Sequence, residues 1–225
     1  MPRLAHAAFR LRQRTSTLTR LTVPAPQNFI YLASQSPRRR QLLEQIGVRY
    51  QMLLPDANED AEALEATRPG ELPGDYVARV TRAKLRAARQ RLARRALPNA
   101  PILCADTTVA LGSRIFGKPA NAADAVHMLT QLSGRSHRVI SAVALFDGQR
   151  SKMEVNTSRV RFSVIAAADI QAYVASGEPF GKAGAYAIQS DAARWIERIE
   201  GSYSGIMGLP LFETALLLRD RGRGA

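Results

Sequence analysis

Cysteine is almost absent from this chain of 225 residues, which contains one, Cys104. One cysteine cannot form an intrachain disulfide, so the sequence is not that of a small secreted domain stabilised by disulfides, and a cytoplasmic location is expected. The cysteine and the three histidines also lack the spacing of zinc ligands. Any bound metal is therefore expected to have carboxylate ligands.

Long apolar runs and aromatic residues are scarce as well. No segment approaches the ~18 consecutive apolar residues that cross a membrane, and residues 1–27 lack the apolar centre of a secretory signal. Aromatic residues make up 6% of the chain and are not interleaved with its basic segments. These absences disfavour a membrane protein, an exported protein and a single-strand nucleic-acid binder with stacking platforms. A serine hydrolase is disfavoured too, because no G-x-S-x-G elbow occurs.

Acidic residues are missing from the two segments that carry the excess positive charge. The chain has 32 Lys and Arg against 19 Asp and Glu, a net charge of +13. Residues 1–27 contain five Arg, and residues 76–98 contain seven Arg and Lys84, with no acid in either segment. These thirteen cations equal the net charge, so the rest of the chain is balanced and a protein-wide DNA-binding surface is not predicted. Segment 76–98 leaves one alternative open, a nucleic-acid-binding protein that uses this basic helix.

Composition indicates one folded domain preceded by a basic extension. Apolar residues are 46% and charged residues 23% of the chain, as in ordinary soluble globular proteins. A Val-Pro-Ala-Pro stretch at 23–26 marks the end of the extension. We expect residues 28–225 to form a single domain, and residues 1–27 to be a disordered tail or the product of a start codon assigned too far upstream. The composition of the extension also suits an organelle transit peptide.

Hydrophobic periodicity predicts strands that alternate with helices. Ser36 and Pro37 are typical of a helix start, and Asn121 provides a second such signal. Asp147-Gly148 between two long strand-like runs predicts a hairpin. Alternating strands and helices with one antiparallel hairpin predict an α/β domain with a mixed sheet. Strands are predicted at 29–32, 49–54, 101–105, 107–111, 136–146, 152–164 and 193–199, and helices at 37–47, 75–98, 121–134, 167–176 and 209–219.

Two hydroxyl groups and two guanidinium groups follow the first predicted strand. Ser34 and Ser36 precede Arg38 and Arg39, where a helix begins and leaves backbone N–H groups free. Such groups converge on a space the size of a phosphate. A capped helix with a solvated basic turn accounts for the same residues, and the residue types alone do not separate the two interpretations.

A carboxylate, Asp106, stands between two apolar runs. Strand ends of open α/β sheets are where ligands bind, although a capping or ion-paired carboxylate is the structural alternative. The following run from Gly112 to Pro119 resembles a phosphate-binding P-loop, but Pro119 has neither the hydroxyl nor the N–H that such a loop requires. We interpret this run as a turn that exposes Lys118.

Four motifs, taken together, resemble those of one enzyme family. They are Ser34-x-Ser36-Pro37-Arg38-Arg39, Ala105-Asp106-Thr107 followed by Gly117-Lys118-Pro119, Gly181-Lys-Ala-Gly184-Ala-Tyr186-x-Ile188-Gln189, and Gly201-Ser-Tyr203 with Gly208-Leu-Pro210-Leu211-x-Glu213-Thr. In this order and spacing they resemble the Maf (septum formation inhibitor) nucleotide pyrophosphatases. The resemblance spans about residues 28–218 and leaves out the extension.

The resemblance implies an activity and a fold. The expected activity is hydrolysis of a nucleoside triphosphate at the α-phosphorus, which releases the monophosphate and diphosphate with Mg²⁺ or Mn²⁺ as cofactor. The expected fold is ITPase-like, an elongated mixed β-sheet flanked by helices with two lobes around a nucleotide cleft. A homodimer is expected, with no nucleic-acid or membrane partner.

Residue roles follow from the same resemblance. Asp106 is expected to accept the proton of the attacking water and to bind the metal, with Glu59 as a further metal ligand. Phosphates are expected to be bound by Ser34, Ser36, Arg39, Lys84 and Lys118. Substrate specificity is expected to depend on Arg38, Thr107 and Gln189. These roles agree with the residue types, because a water nucleophile needs a base and a triphosphate needs fixed cations.

The base preference can be argued from hydrogen bonding. Thymine and uracil present an acceptor, a donor and an acceptor along their pairing edge, and the Gln189 amide can pair with two adjacent members of that set. A guanine edge presents neighbouring donors, which a carboxylate would satisfy better. We therefore expect a dTTP and UTP pyrophosphatase. The alternative is a 7-methyl-GTP or damaged-purine triphosphate pyrophosphatase in which Gln189 does not select the base.

Deletion of residues 1–27 is expected to leave catalysis unchanged, because every matched motif begins at or after Ser34. Steady-state release of diphosphate from dTTP by the full-length and truncated chains measures the effect. A large loss of rate in the truncated chain would show that the extension takes part in function.

Overall fold

One mixed sheet of seven strands forms the centre of the fold in the computed structural model, which describes residues 28–220. The strands are β1 (Ile30–Leu32), β2 (Tyr50–Met52), β3 (Ile102–Leu111), β4 (Arg114–Phe116), β5 (Ser136–Phe146), β6 (Ser151–Phe162) and β7 (Ile196–Glu200). Their order is β2-β1-β3-β5-β6-β7, with β4 paired to β3. β1 runs parallel to β2 and β3, whereas the other pairs are antiparallel.

Helices cover both faces of this sheet, which confirms the predicted α/β fold. They are α1 (Pro37–Gln45), α2 (Pro73–Arg94), α3 (Ala122–Leu132), α4 (Ala167–Ala175), α5 (Tyr203–Met207) and α6 (Leu211–Asp220). Alternate residues of β3 face opposite layers, so that Cys104 packs with α2, whereas Leu103 and Ala105 pack in the core formed with the other helices. Among the helices described between residues 28 and 220, none is long and apolar enough to cross a membrane.

Single residues explain where several elements begin or turn. Pro37 occupies the first turn of α1, where its missing N–H costs no hydrogen bond. Asn121 Oδ1 accepts the N–H of Asp124 at 2.9 Å and so caps α3. The chain turns between β5 and β6 at Gly148, whose φ of +105° favours glycine. The predicted hairpin and both helix starts are confirmed.

Several elements differ from the prediction, among them β4, which lies within the run 112–119 that is predicted to be a turn. The two apolar runs on either side of Asp106 form a single strand, β3, because Asp106 continues the ladder opposite Ala142 of β5. β7 begins at Ile196 and not at 193, since a 3-10 turn at Asp191–Trp195 precedes it. α5 has no counterpart among the predicted helices, because its five residues are too few to show helical periodicity.

A gap at one edge of β3 makes room for a site. β1 pairs with β3 only as far as Leu103, and β4 pairs with it from Val109 onward. Between these contacts Asp106 and Thr107 have β5 on one side and no described strand on the other. α1 and the segment 181–189 both border this gap. This is the arrangement that the expected two-lobed cleft requires.

The acidic loop at 55–72 is bound to α2 by ion pairs. Five of the eight cations of segment 76–98 take part. Arg91 is the most buried of them, with 4% of its side chain exposed, and it also donates to the Leu53 carbonyl at 2.8 Å. The loop therefore neutralises much of the charge that the sequence concentrates in this helix. The ion pairs are Asp56–Arg94, Asp56–Arg95, Glu59–Arg91, Glu59–Arg94, Glu65–Lys84 and Glu71–Arg79.

Glu59→Gln is expected to lower the free energy of unfolding by about 1–3 kcal/mol, because the buried Arg91 loses its charged partner. The hydrogen bond from Arg91 lowers the pKa of Glu59 to about 2. The stabilisation is therefore complete above the ordinary pKa of 4.5 and is lost as the pH falls toward 2.

Urea unfolding at pH 7 and pH 3 measures both effects, and the difference between wild type and Glu59→Gln is expected to be smaller at pH 3. Glu62→Gln is the control, since it removes an exposed carboxylate from the same loop. Equal stability of the two variants at pH 7 would contradict the role of Glu59 in holding the loop.

Candidate active site

A cavity of about 450 Å³ opens at the gap in the sheet. Nine of the ten residues predicted to bind or convert a substrate line this cavity, although they come from five separate parts of the chain. The tenth, Glu59, is not among the lining residues. The nine are Ser34, Ser36, Arg38, Arg39, Lys84, Asp106, Thr107, Lys118 and Gln189.

Asp106 supplies a buried carboxylate to this cavity and is 6% exposed. Its Oδ1 accepts a hydrogen bond from Lys84 Nζ at 2.6 Å. Lys84 Nζ also contacts Glu65 Oε1 at 2.7 Å, and the second oxygen of Glu65 accepts from Lys118 Nζ at 2.8 Å. Two carboxylates and two ammonium groups thus alternate along one series of ion pairs in the cavity wall.

Glu65 is a member of this series that the sequence does not single out. Its backbone carbonyl accepts the Tyr76 hydroxyl at 2.9 Å, which fixes the loop against α2 at this point. Burial opposes the ionisation of Glu65, but Lys84 and Lys118 outweigh burial and lower its pKa. The loop has no periodicity, so no signal in the sequence separates Glu65 from the other acids around it.

The structure separates the two residues predicted as metal ligands. Glu59, which does not line the cavity, is bound by Arg91, whereas Glu65 shares the Lys84 ammonium with Asp106. Within residues 28–220, no three His, Cys, Asp or Glu side chains are grouped closely enough to hold a metal ion by themselves. Mg²⁺ is commonly bound by one or two protein carboxylates together with substrate phosphates. Asp106 and Glu65 fit an ion that is bound in this way.

The basic turn at the start of α1 is built into the cavity wall. Arg39 Nη1 donates to Ser34 Oγ at 3.0 Å, and its Nε donates to the Gly208 carbonyl at 2.8 Å. Arg38 Nε donates to the last carbonyl of α5 at 3.3 Å. The Ser36 side chain makes no capping hydrogen bond, and burial lowers the pKa of both guanidinium groups. These contacts favour a ligand site over a solvated helix cap.

Segment 181–189 brings Gln189 to the cavity. A Cβ on Gly184, whose φ is +69°, would lie 2.8 Å from Val109 Cγ2, so the segment packs this closely on β3 only with glycine. Tyr186 Oη lies 2.7 Å from Nε2 of the buried His137. Burial lowers the pKa of His137 to about 4, so the ring is neutral near pH 7. Gln189 itself is exposed and lines the cavity.

The cavity therefore combines one buried carboxylate with several fixed cations. Lys84, Lys118 and the two guanidinium groups can neutralise a polyanion. Asp106 is a group that can accept a proton from a nucleophile bound beside that anion. Such a set of side chains suits hydrolysis of a phosphoric anhydride.

Comparison with known proteins identifies close relatives. The chain is 62% identical over 194 residues to a dTTP/UTP pyrophosphatase of Albidiferax ferrireducens, which covers 86% of this chain and 97% of the relative. It is 62% identical over 195 residues to the protein of the same name from Cupriavidus metallidurans, with coverage of 87% and 98%. The corresponding protein of Polaromonas sp. is 63% identical over 195 residues, with coverage of 87% and 96%.

Among solved structures, the Staphylococcus aureus Ham1 protein aligns with 59% of this chain and 71% of its own. Its identity of 12% and TM-score of 0.34 are too low to bear on the assignment. The family model described as Maf-like protein matches residues 29–221, nearly the whole of the folded domain. The length of this match and the identity of the relatives show that the chain belongs to the Maf-like protein family.

Proposed function

We propose that this protein hydrolyses dTTP and UTP to the nucleoside monophosphate and diphosphate, which makes it a nucleotide diphosphatase. The observation that carries the proposal is the buried Asp106 carboxylate, which lies beside Lys84 in a cavity also lined by Lys118, Arg38 and Arg39. Relatives at 62–63% identity, matched over almost their full length, are named dTTP/UTP pyrophosphatases. Their names support the same substrates here.

The proposed reaction is attack of water on the α-phosphorus. Asp106 accepts a proton from the water as the new P–O bond forms, and the bond from the α-phosphorus to the bridging oxygen breaks. Lys84 fixes the orientation of the Asp106 carboxylate through its contact at 2.6 Å. The negative charge of the leaving diphosphate is neutralised by the ammonium and guanidinium groups of the cavity. Lys118, half-exposed beside the cavity, exchanges its contact with Glu65 for a phosphate oxygen.

We propose Mg²⁺ or Mn²⁺ as cofactor, bound by Asp106 and Glu65 together with phosphate oxygens. When bound, the ion supplies positive charge at those oxygens. Both carboxylates contact the Lys84 ammonium, at 2.6 and 2.7 Å, so they lie close enough to each other to bind one ion through their other oxygens. Glu59, the ligand expected from the resemblance, is engaged by Arg91, and we assign it to attachment of the loop.

Base recognition is proposed for Gln189, Thr107 and Arg38. The exposed Gln189 amide can donate to a carbonyl oxygen of thymine or uracil, which leaves the neighbouring N3–H for another acceptor of the cavity. A guanine edge, with neighbouring donors, matches this amide less well. The 7-methyl-GTP and damaged-purine alternatives require that Gln189 does not contact the base, and a panel of nucleoside triphosphates distinguishes them.

Nucleic-acid binding through α2 is the alternative from another class. Five of the eight cations of segment 76–98 are engaged by acids of this protein. Cations that are already paired release few counterions from DNA, so the driving force for a phosphate track is weak. An electrophoretic shift assay at rising salt, run beside the diphosphate assay, tests the alternative. Tight DNA binding without turnover of dTTP would favour it.

We also propose a cytoplasmic homodimer with no membrane partner. The dimer rests on the resemblance to the family, and sedimentation velocity measures it. The cytoplasmic location is supported by Cys104, a buried free thiol that calls for no oxidising compartment.

Asp106→Asn is expected to lower kcat for dTTP by at least ~100-fold, because an amide cannot accept the proton of the attacking water. The substitution keeps the shape of the side chain, so an unchanged circular dichroism spectrum is expected. Asp75→Asn, at the exposed start of α2, is the matched control and is expected to keep wild-type turnover. Wild-type turnover by Asp106→Asn would contradict the proposal.

Gln189→Glu is expected to lower kcat/KM for dTTP and UTP relative to GTP by roughly tenfold, because a carboxylate cannot donate to a base carbonyl. Diphosphate release from a nucleotide panel, with Mg²⁺ and with Mn²⁺, measures the ratio. Gln51→Glu makes the same change on the exposed part of β2 and should keep the wild-type profile. An unaltered profile in Gln189→Glu would remove this residue from base recognition.

A further inference from the structure

A buried serine lies directly behind Thr107 in the cavity wall. Ser141 of β5 is opposite Thr107 of β3 in the antiparallel ladder, and their Oγ atoms are 2.7 Å apart. Ser141 Oγ is also 2.7 Å from the Gly205 carbonyl oxygen. Ser141 is 0% exposed, so water does not compete for either contact.

The number of protons decides which atom donates in each contact. A hydroxyl has one proton and a carbonyl oxygen can only accept, so the Ser141 proton is directed at Gly205. The 2.7 Å contact between the two hydroxyls then requires Thr107 to donate and Ser141 to accept. The Gly208 carbonyl is another acceptor near Thr107, but at 3.5 Å it lies at the limit of a hydrogen bond.

With its proton directed at Ser141, the Thr107 oxygen offers only lone pairs to other groups. Arg39 Nη2 approaches this oxygen as a donor at 3.4 Å, which agrees with an accepting oxygen. Thr107 lines the cavity, whereas Ser141 is not among the lining residues. A ligand atom that meets the Thr107 hydroxyl must therefore be a hydrogen-bond donor.

The direction of these bonds is held by rigid surroundings. Ser141 belongs to a central strand and is paired on one side with Thr107 and on the other with Asn156. The acceptor carbonyl belongs to α5, whose first turn is capped by the Ser202 hydroxyl accepting the Gly205 N–H at 3.0 Å. The Gly205 carbonyl cannot turn away without breaking the backbone hydrogen bond that it accepts from the Gly208 N–H at 3.1 Å.

We propose that Ser141 is a positioning residue for base recognition, because it makes Thr107 an acceptor that selects the N3–H of thymine and uracil against cytosine. This inference rests on the proposed function, in which Thr107 contacts the base. Cytosine has a lone pair at N3, so it would meet the lone pairs of Thr107 with no proton between them. Gln189 cannot make this selection alone, since its amide can rotate to offer either its oxygen or its nitrogen.

Ser141→Ala removes the acceptor and frees the Thr107 hydroxyl to donate into the cavity. The ratio of kcat/KM for CTP to that for UTP is expected to rise about tenfold, which corresponds to one hydrogen bond. Ser141→Thr keeps a hydroxyl at this position and is expected to restore the wild-type ratio. Thr81→Val removes another buried hydroxyl, on α2 and outside the cavity, and should leave the ratio unchanged.

Thr107→Val separates this inference from the proposed function. It is expected to change the same ratio, and adding Ser141→Ala to it should have no further effect. If Thr107→Val changes the ratio and Ser141→Ala does not, the role of Ser141 is overturned while the base site stands. If neither variant changes the ratio, Thr107 does not contact the base and the inference fails, whereas diphosphatase activity is tested separately through Asp106.

Discussion

A carboxylate buried in the middle of a strand is the constraint on which the rest of this structure depends. Asp106 is 6% exposed within β3 and follows the apolar run Ile102–Ala105. An unpaired charge in such a place costs several kcal/mol, so a cation has to reach it. Lys84 does so from α2 at 2.6 Å, and Glu65 binds the same ammonium from the acidic loop. The packing of α2 on the sheet and the path of the loop therefore both contribute to pairing the Asp106 carboxylate with a cation.

The cations of α2 therefore stabilise the fold, in addition to any contact that they make with a ligand. The loop at 55–72 contains only two large apolar residues, Leu64 and Leu72, so burial of apolar surface contributes little to holding it on α2. Exposed ion pairs are individually weak, but those of Arg91 and Lys84 are largely shielded from water and fix the loop at two points. Ion pairs therefore hold the cavity wall at Glu65 in place. Because many of the cations are paired within the protein, the net charge of +13 does not measure its affinity for polyanions.

The sequence predicts best those features that one residue determines. Pro37, Asn121 and Gly148 each restrict the backbone or supply a cap by themselves, and each lies where its pattern predicts. The residues that gather at the cavity are also predictable, because their motifs mark the ends and turns of elements. Glu65 and Ser141 are not, since an irregular loop and the register between β3 and β5 depend on the folded chain.

The central claim is that water attacks the α-phosphorus of a pyrimidine nucleoside triphosphate with Asp106 as its base. Hydrolysis of dTTP by the wild-type enzyme in water enriched with oxygen-18, followed by mass spectrometry of both products, tests the position of attack directly. The heavy oxygen is predicted in the thymidine monophosphate, with none in the diphosphate. Heavy oxygen in the diphosphate, or release of orthophosphate as the first product, would contradict the claim.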